Sequence, residues 1–187
     1  MNLHPKYFIF PAILISCLAL VFISLSVNAG YAQAEQIAEI TVTTADTNHT
    51  SSISRVFPEE IQQWNSLIVT HAHEFNIDPN LIAAVVLQES GGNPTAISSS
   101  GAVGLMQVMP RDGIAASFEC INGPCFANRP MRIELTDPEF NIHYGVKMLS
   151  SLISKTGSPR EALKLYGPAD VGYYYADIIL AIKANHQ

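Results

Sequence analysis

Residues 83–110 read AAVVLQESGGNPTAISSSGAVGLMQVMP, and they place a single carboxylate, that of Glu89, at the end of an apolar run. Upstream, Asp78 and Pro79 are typical of the first residues of a helix, and Gly91 and Gly92 are typical of a helix end. The apolar spacing between these signals predicts a helix that buries one side. Glu89 falls on that side, so we expect its carboxylate to point inward.

Glu89 allows two interpretations. A carboxylate that faces inward loses water, so its pKa rises and it can hold a proton near neutral pH. Such a group can protonate the leaving oxygen of a glycosidic bond. The alternative is an exposed acid at a helix C-terminus with no chemical role, and the helix taken alone favours this second interpretation.

The rest of the chain predicts an all-α fold. Apolar positions recur at the spacing of one helix face over residues 57–75, and a shorter helix is predicted over 102–109, ending at Pro110. Further helices are predicted over 137–157, 158–167 and 171–184, the first opening on Asp137 and the second on a capping box of Ser158 and Glu161. No strong hairpin pattern is present, and residues 57–187 are long enough for one domain with one core.

Composition and the N-terminus bound the class of protein. Charged residues make up 14% of the 187 residues and the net charge is −6, so no basic nucleic-acid-binding surface is expected. Residues 1–34 contain an uncharged apolar run and a small-x-small site, which predicts a cleaved signal peptide or, if uncleaved, a membrane anchor. Residues 35–56 are rich in Thr, Ser and Asn and predict a flexible linker. We therefore expect export to the periplasm or cell envelope.

Export leaves two cysteines, Cys120 and Cys125, on either side of the turn-rich tetrapeptide INGP. In an oxidising compartment this spacing predicts a disulfide. A zinc site is not expected, because no histidine pattern supplies the other ligands. His71 and His73, two apart on a helix, face different ways, so we expect neither a metal nor a cofactor.

The order of residues after Glu89 resembles a known signature. Glu89-Ser90, Asn93-Pro94, a serine at 98, the run GAVGLMQ at 101–107 and a closing Pro110 occur in the order and spacing of the lytic transglycosylase family, the goose-lysozyme-like enzymes that cut bacterial peptidoglycan. Downstream segments also resemble that family over residues 64–184. The matching positions there are Pro138, Asn141, Gly145, Tyr166 and Tyr175, with Tyr174 as an alternative register for the last.

The resemblance implies a lysozyme-like helical fold, with residues 57–187 as the catalytic domain, and a reaction without net use of water. Glu89 would act first as acid and then as base on the β-1,4 link between N-acetylmuramic acid and N-acetylglucosamine of a glycan strand. The muramyl hydroxymethyl oxygen would then close on its own anomeric carbon, giving a 1,6-anhydro sugar.

The same resemblance suggests roles for other residues. Five are expected to bind substrate: Ser98, Met106, Gln107, Tyr166 and Tyr175. The two tyrosines could stack on a sugar ring or hydrogen-bond Glu89. Three are expected to support the site: Ser90, by orienting Glu89 or by capping its helix; Gly104, by letting backbone and sugar approach closely; and Asn141, by tying the cleft wall together. The chain departs from the family at Gly167, where an asparagine is expected, and this leaves the opposite wall of the cleft unexplained.

Two alternatives to a lytic transglycosylase remain open in the sequence. One is a goose-type lysozyme-like hydrolase on the same fold, which would release a reducing sugar. The other is a peptidoglycan-binding module without activity, which the presence of Glu89 argues against. Small single-domain enzymes that resemble this chain often accompany conjugation or secretion machines, so such a machine is a conceivable partner by family analogy alone.

Overall fold

The computed structural model describes residues 51–187; the predicted leader or anchor at 1–34 and most of the predicted linker at 35–56 lie outside them. The described part contains seven α-helices and one short antiparallel hairpin, so the all-α prediction is confirmed. The elements in chain order are α1 (Glu59–Gln62), α2 (Asn65–Phe75), α3 (Pro79–Ser90), a 3₁₀ helix (Gly113–Ser117), β1 (Glu119–Cys120), β2 (Gly123–Pro124), α4 (Arg132–Leu135), α5 (Pro138–Thr156), α6 (Pro159–Tyr166) and α7 (Tyr174–Asn185).

Helix α3 lies at the centre of the core. All residues from 81 to 86 are at most 4% exposed, which explains why this stretch has no polar face. The carboxylate of Asp78 accepts a hydrogen bond from the amide of Asn80 at the N-terminus of the helix, and Gly91, with φ 60°, ends it. Glu89 therefore sits where a fully buried helix reaches the surface.

The five long helices form a closed series of contacts. α3 packs against α2 and α7, α7 against α6, α6 against α5, and α5 back against α2, and the short helices α1 and α4 add contacts to α3 and α5 respectively. The core they enclose is aliphatic, and Ile68, Ile82, Ile142, Leu163 and Ile179 are completely buried. Among residues 51–187, no helix has the length and apolar character needed to cross a membrane.

The predicted helix over 57–75 is wrong in one respect, because the structure divides it into α1 and α2. Trp64 interrupts the helix with φ −94° and ψ 3°. Its indole N–H donates a hydrogen bond to the carbonyl of Gly92, 3.0 Å away. This tie to the segment after α3 fixes the position at which α2 begins.

The predicted linker also ends earlier than residue 56. Ile53 is 2% exposed and belongs to the core. Its amide donates to the side-chain oxygen of Asn65 (2.9 Å), and the amide of Ser54 donates to that of Asn80 (2.8 Å). The packed chain therefore begins before the predicted domain boundary at 57.

The predicted short helix over 102–109 is a tight turn instead. Gly104 has φ 78° and Gln107 has φ 46°, and neither conformation is compatible with a right-handed helix. Val103 forms antiparallel bridges with both Ile97 and Val108, which close the turn. The segment between α3 and the 3₁₀ helix is thus folded by backbone bridges rather than by helix propensity.

Asn141, on α5, holds this turn in place. Its side chain is completely buried, donates to the carbonyls of Val103 (2.8 Å) and Leu135 (3.0 Å), and accepts from the amide of Met106 (2.9 Å). Gly104 makes room for it: a β-carbon there would lie 2.3 Å from the Asn141 amide nitrogen. One amide therefore satisfies three buried backbone groups.

We expect Asn141→Ala to lower the free energy of unfolding by about 3 kcal/mol, because it strands buried backbone groups without partners. Urea unfolding followed by circular dichroism measures this. Asn128→Ala removes an exposed asparagine and should change the stability by less than about 0.5 kcal/mol. Equal losses in the two variants would show that the Asn141 contacts contribute no net stability.

Candidate active site

Glu89 opens onto a cleft of about 610 Å³ that the turn at 102–109, the hairpin segment and the end of α6 enclose. Among the predicted site residues, Glu89, Ser98, Gln107 and Tyr166 line this cleft. Its other lining residues are Ser100, Ala102, Val108, Met109, Phe118, Phe126, Arg129, Met148, Leu165, Gly167, Pro168 and Ala169. Of all the described residues that line the cleft, Glu89 is the only acid.

The carboxylate of Glu89 is both desolvated and held in place. Burial raises its pKa to about 7, and a hydrogen bond from the Tyr175 hydroxyl to Oε1 opposes part of that rise. Tyr175 is 7% exposed and lies in the first turn of α7, which packs against α3. Near neutral pH this group can therefore hold a proton and also release it, which is what general acid and base chemistry requires.

Tyr166 supports the cleft from the end of α6. Its hydroxyl donates to the carbonyl of Met106 over 2.9 Å, so it ties α6 to the turn. Burial and the nearby Glu89 carboxylate raise the pKa of Tyr166 and of Tyr175 above the usual range of a phenol. Both hydroxyls are therefore neutral donors.

Two of the roles expected from the sequence are wrong. The side chain of Met106 is completely buried in the core, and a β-carbon at Gly145 would lie 2.6 Å from its sulfur. Met106 therefore cannot offer its side chain to a ligand, although its carbonyl anchors Tyr166. Gly104 makes space for Asn141 and not for a sugar.

The remaining polar candidates have defined partners. The Ser90 hydroxyl donates toward the carbonyls of Leu105 (2.9 Å) and Val86 (3.2 Å), so it caps α3 and ties it to the turn instead of orienting Glu89. The Ser98 hydroxyl oxygen accepts from the amide of Ala102 (2.9 Å). The hydroxyl hydrogen of Ser98 can therefore be donated to an acceptor on a ligand in the cleft.

Gln107 offers an oxygen to the cleft. Its amide nitrogen donates to the carbonyls of Gly104 (3.0 Å) and Ala96 (3.2 Å). Within residues 51–187 no donor bonds to its side-chain oxygen, which can therefore accept a hydrogen bond from a bound ligand. The left-handed backbone of Gln107 sets the direction of this side chain.

Gly167 explains how the opposite wall is built without the expected asparagine. A β-carbon at this position would lie 2.5 Å from two ring atoms of Tyr175. The backbone is extended there with φ −72°, so glycine is required by the contact and not by conformational strain. The Tyr175 ring fills the space of a side chain at 167, and its hydroxyl reaches Glu89 from that position.

The residues predicted from the sequence do not include three further cleft residues, Phe118, Phe126 and Arg129. The two aromatic rings meet edge to face, with centroids 6.0 Å apart, and Phe118 is 41% exposed. They flank the hairpin of β1 and β2, which the disulfide between Cys120 and Cys125 closes. A disulfide-closed hairpin next to two phenylalanines was the available signal, but sequence alone cannot show which surface such a hairpin faces.

A second depression adjoins the cleft and extends it. We call it the groove: it encloses about 410 Å³ and is lined by Tyr144, Lys147, Ser151 and Leu152 together with residues shared with the cleft. The shared residues are Arg129, Met148, Leu165 and Tyr166. The cleft and the groove together form one continuous surface that is longer than one sugar ring.

A family model and curated relatives that match this chain are all described as transglycosylases. The family described as the transglycosylase SLT domain matches residues 66–172. A membrane-bound lytic murein transglycosylase E from Buchnera aphidicola (subsp. Acyrthosiphon pisum) is 40% identical over 95 residues, which are 51% of this chain and 42% of that protein. An endo-type membrane-bound lytic murein transglycosylase A from Klebsiella pneumoniae is 38% identical over 90 residues, 48% of this chain and 43% of that protein. The chain thus spans less than half the length of these curated relatives.

The fold has a counterpart among solved structures. The lytic transglycosylase Slt from Pseudomonas aeruginosa superposes with a TM-score of 0.51 and 21% identity, over 65% of this chain and 23% of that one. At this identity the likeness concerns the fold alone, and it confirms the expected lysozyme-like helical architecture.

The raised pKa of Glu89 makes a prediction about stability. The folded chain holds this proton up to about pH 7, whereas an unfolded glutamate loses it near pH 4.3. Between these values the folded state binds more protons, so its stability falls as the pH rises. Glutamine carries no charge, and we expect Glu89→Gln to stabilise the fold by roughly 2 kcal/mol near pH 8 and by little near pH 4.

Urea unfolding of both proteins across this pH range measures the difference. Glu119→Gln, at an exposed position in the hairpin, is the matched control and should change the stability by less than about 0.5 kcal/mol. A Glu89→Gln effect of the same size at every pH would contradict the raised pKa.

The contact between Gly167 and Tyr175 predicts that Gly167→Ala lowers the free energy of unfolding by about 1–3 kcal/mol, as overpacking does. Displacing Tyr175 also removes the hydrogen bond that lowers the pKa of Glu89, so that pKa should rise further. Urea unfolding and NMR titration of the Glu89 carboxyl carbon measure the two effects. In a Tyr175→Ala background, Gly167→Ala should lose most of its effect on stability; an unchanged effect would place the clash elsewhere.

Proposed function

Because the chain belongs to the transglycosylase SLT domain family, we propose that it is a peptidoglycan lytic transglycosylase with Glu89 as its single acid and base. The bond cut is the β-1,4 link between N-acetylmuramic acid and N-acetylglucosamine. The observation that carries this proposal is the cleft itself, in which Glu89 is the only acid among the described lining residues and its pKa is raised to about 7. Glycosidases that use two carboxylates need a second acid within about 10 Å of the first.

The first step is proton donation by Glu89. Tyr175 bonds Oε1, and no donor among residues 51–187 bonds Oε2, so Oε2 carries the proton to the oxygen of the leaving N-acetylglucosamine. The bond between that oxygen and the anomeric carbon of N-acetylmuramic acid breaks as the proton transfers. The muramyl ring then carries the positive charge of an oxocarbenium-like species, and Glu89 is left as a carboxylate.

The second step returns the proton to Glu89. The carboxylate removes the proton from the hydroxymethyl group of the same muramyl residue, and that oxygen attacks the anomeric carbon. A 1,6-anhydro ring forms, no water is consumed, and Glu89 is protonated again. The hydroxyl of Tyr175 stays neutral and donates its hydrogen bond in both steps. It therefore stabilises Glu89 after the proton has left and the carboxylate is charged.

The surroundings of Glu89 suit a long polysaccharide. The cleft and the groove share four lining residues, so a glycan strand can run through both. Ser98 and Gln107 offer a hydroxyl and an amide oxygen to the hydroxyl and acetamido groups of the sugars. Phe118 presents an exposed aromatic face at the cleft wall, and such faces pack against the apolar faces of sugar rings.

The relatives support a location in the cell envelope, where peptidoglycan lies. Two of them are named as membrane-bound lytic murein transglycosylases. The leader or anchor at 1–34 and a conjugation or secretion machine as partner stay predictions. The partner prediction follows from family analogy and not from a described surface.

We expect Glu89→Gln to fold and to reduce cleavage of purified sacculi by at least about 1000-fold, because glutamine can neither donate nor accept the proton. Glu139→Gln, an exposed acid at the start of α5, should cleave like the original chain. Mass spectrometry of the digest identifies the products, and those of a lytic transglycosylase are lighter by one water than those of a hydrolase.

Each outcome of this digest has a distinct meaning. Reducing ends without anhydro ends would make the protein a goose-type lysozyme-like hydrolase. Binding of sacculi without any product would make it a peptidoglycan-binding module. Cleavage by Glu89→Gln at the original rate would remove Glu89 from its proposed role.

A further inference from the structure

Outside the cleft, three side chains that commonly bind metals meet between α2 and α5. His71 and Glu74 lie three residues apart on α2, so they share one face of that helix. His143 comes from α5, which packs against α2. One ligand atom from each residue lies within 4.8 Å of the other two, and we call this set the His–Glu–His cluster.

The geometry of the cluster is already close to that of a metal centre. His71 Nδ1 lies 2.9 Å from Glu74 Oε2, and His143 Nε2 lies 3.3 Å from Glu74 Oε1. Ligand atoms that surround a zinc ion tetrahedrally at about 2 Å are about 3.3 Å from one another. Only small side-chain movements are needed for the three ligand atoms to close on one ion.

The burial of the three side chains is graded. His71 is 8% exposed, His143 is 36% exposed and Glu74 is 47% exposed. The buried imidazole would therefore fix one ligand, while the two outer side chains leave the ion reachable from solvent and leave room for a water as fourth ligand. This arrangement of three protein ligands and an open position is common among zinc sites.

His71 also has an unusual hydrogen-bonding state. Its Nε2 is buried without a partner among the described residues, so the ring is held through Nδ1 alone. Buried polar atoms are normally paired. The position of the ring is thus determined by the cluster, and no other polar group of the described structure competes for it.

The charges in the cluster favour a cation. Glu74 contributes a carboxylate that contacts both imidazoles, and carboxylate oxygens are zinc ligands. The two imidazoles are the ligands that late first-row transition metals prefer. Mg²⁺ and Ca²⁺ prefer oxygen ligands and suit the cluster poorly.

We propose that His71, Glu74 and His143 form a binding site for a divalent transition-metal ion, with Zn²⁺ as the best-fitting case, that clamps α2 to α5. None of the three residues lines the cleft, so the site is separate from Glu89. Because His71 Nε2 has no acceptor to support it, the affinity should be micromolar instead of nanomolar.

Calorimetric titration of the purified full chain with Zn²⁺ tests this. The chain carries no polyhistidine tag and is first treated with a chelator. We expect one Zn²⁺ per chain, a higher melting temperature in its presence, and no comparable binding of Mg²⁺. Co²⁺ in place of Zn²⁺ should give the visible absorption bands of a nitrogen- and oxygen-ligated ion.

Matched variants assign the site. Glu74→Gln keeps the shape of the side chain, and His143→Phe keeps a ring beside Phe75, whose centroid lies 5.4 Å away. Each should weaken Zn²⁺ binding at least tenfold, whereas His73→Gln, an exposed position on the same helix, should leave the affinity within about twofold. Glu89→Gln should bind Zn²⁺ like the original chain, which keeps this test independent of the proposed activity.

Two results would overturn the proposal. One is the absence of saturable Zn²⁺ binding by the original chain. The other is binding that persists unchanged in both Glu74→Gln and His143→Phe, which would place the ion on other groups of the chain. Circular dichroism of each variant shows that a loss of binding is not a loss of fold.

Discussion

The hydrogen bond from Tyr175 to Glu89 joins the two helices on which the cleft depends. Helix α3 is apolar all round and delivers Glu89 to the surface, and α7 packs against it and brings the hydroxyl that holds the carboxylate. Burial alone would raise the pKa of Glu89 further and make its carboxyl group a weaker acid. The phenol moderates the effect of burial, so that one carboxyl can serve as both acid and base near neutral pH.

The turn at 102–109 is the other half of the cleft, and it depends on distant residues. Asn141 satisfies three backbone groups of this region from α5, and Tyr166 fixes the Met106 carbonyl from α6. Asn141 and Tyr166 thus act on a part of the chain that is far from them in sequence. Two helices, α5 and α6, thus hold one short turn of the cleft wall.

Sequence alone predicted those features that are set locally. The ends of α3, α5 and α6 follow from cap residues and terminal glycines next to them, and the structure places them at those residues. The break at Trp64 and the turn in place of a helix at 102–109 were missed. Both are caused by partners far along the chain, Gly92 in the first case and Asn141 in the second. Periodicity carries no information about such partners.

Among the site residues, too, the sequence predicts what is set locally and misses what depends on distant parts of the chain. Glu89, Ser98 and Gln107 were found because they stand in one ordered run, and they do line the cleft. Met106 stands in the same run but faces the core, since a motif records which residues occur together and not the direction of each side chain. The pattern of His71 with His73 is local and does not predict the His–Glu–His cluster, because that ligand set needs His143 from another helix.

Gly167 shows how a departure from a family pattern can be compensated. With the Tyr175 ring where it lies in this structure, a β-carbon at 167 would come within 2.5 Å of two ring atoms, so a side chain here requires the ring to shift. With glycine there, the ring fills the space beside the end of α6 and its hydroxyl bonds Glu89 directly. The polar contact to the carboxylate is therefore supplied by α7. The loss of one amide is therefore no evidence for a loss of activity, because the same position makes the tyrosine contact possible.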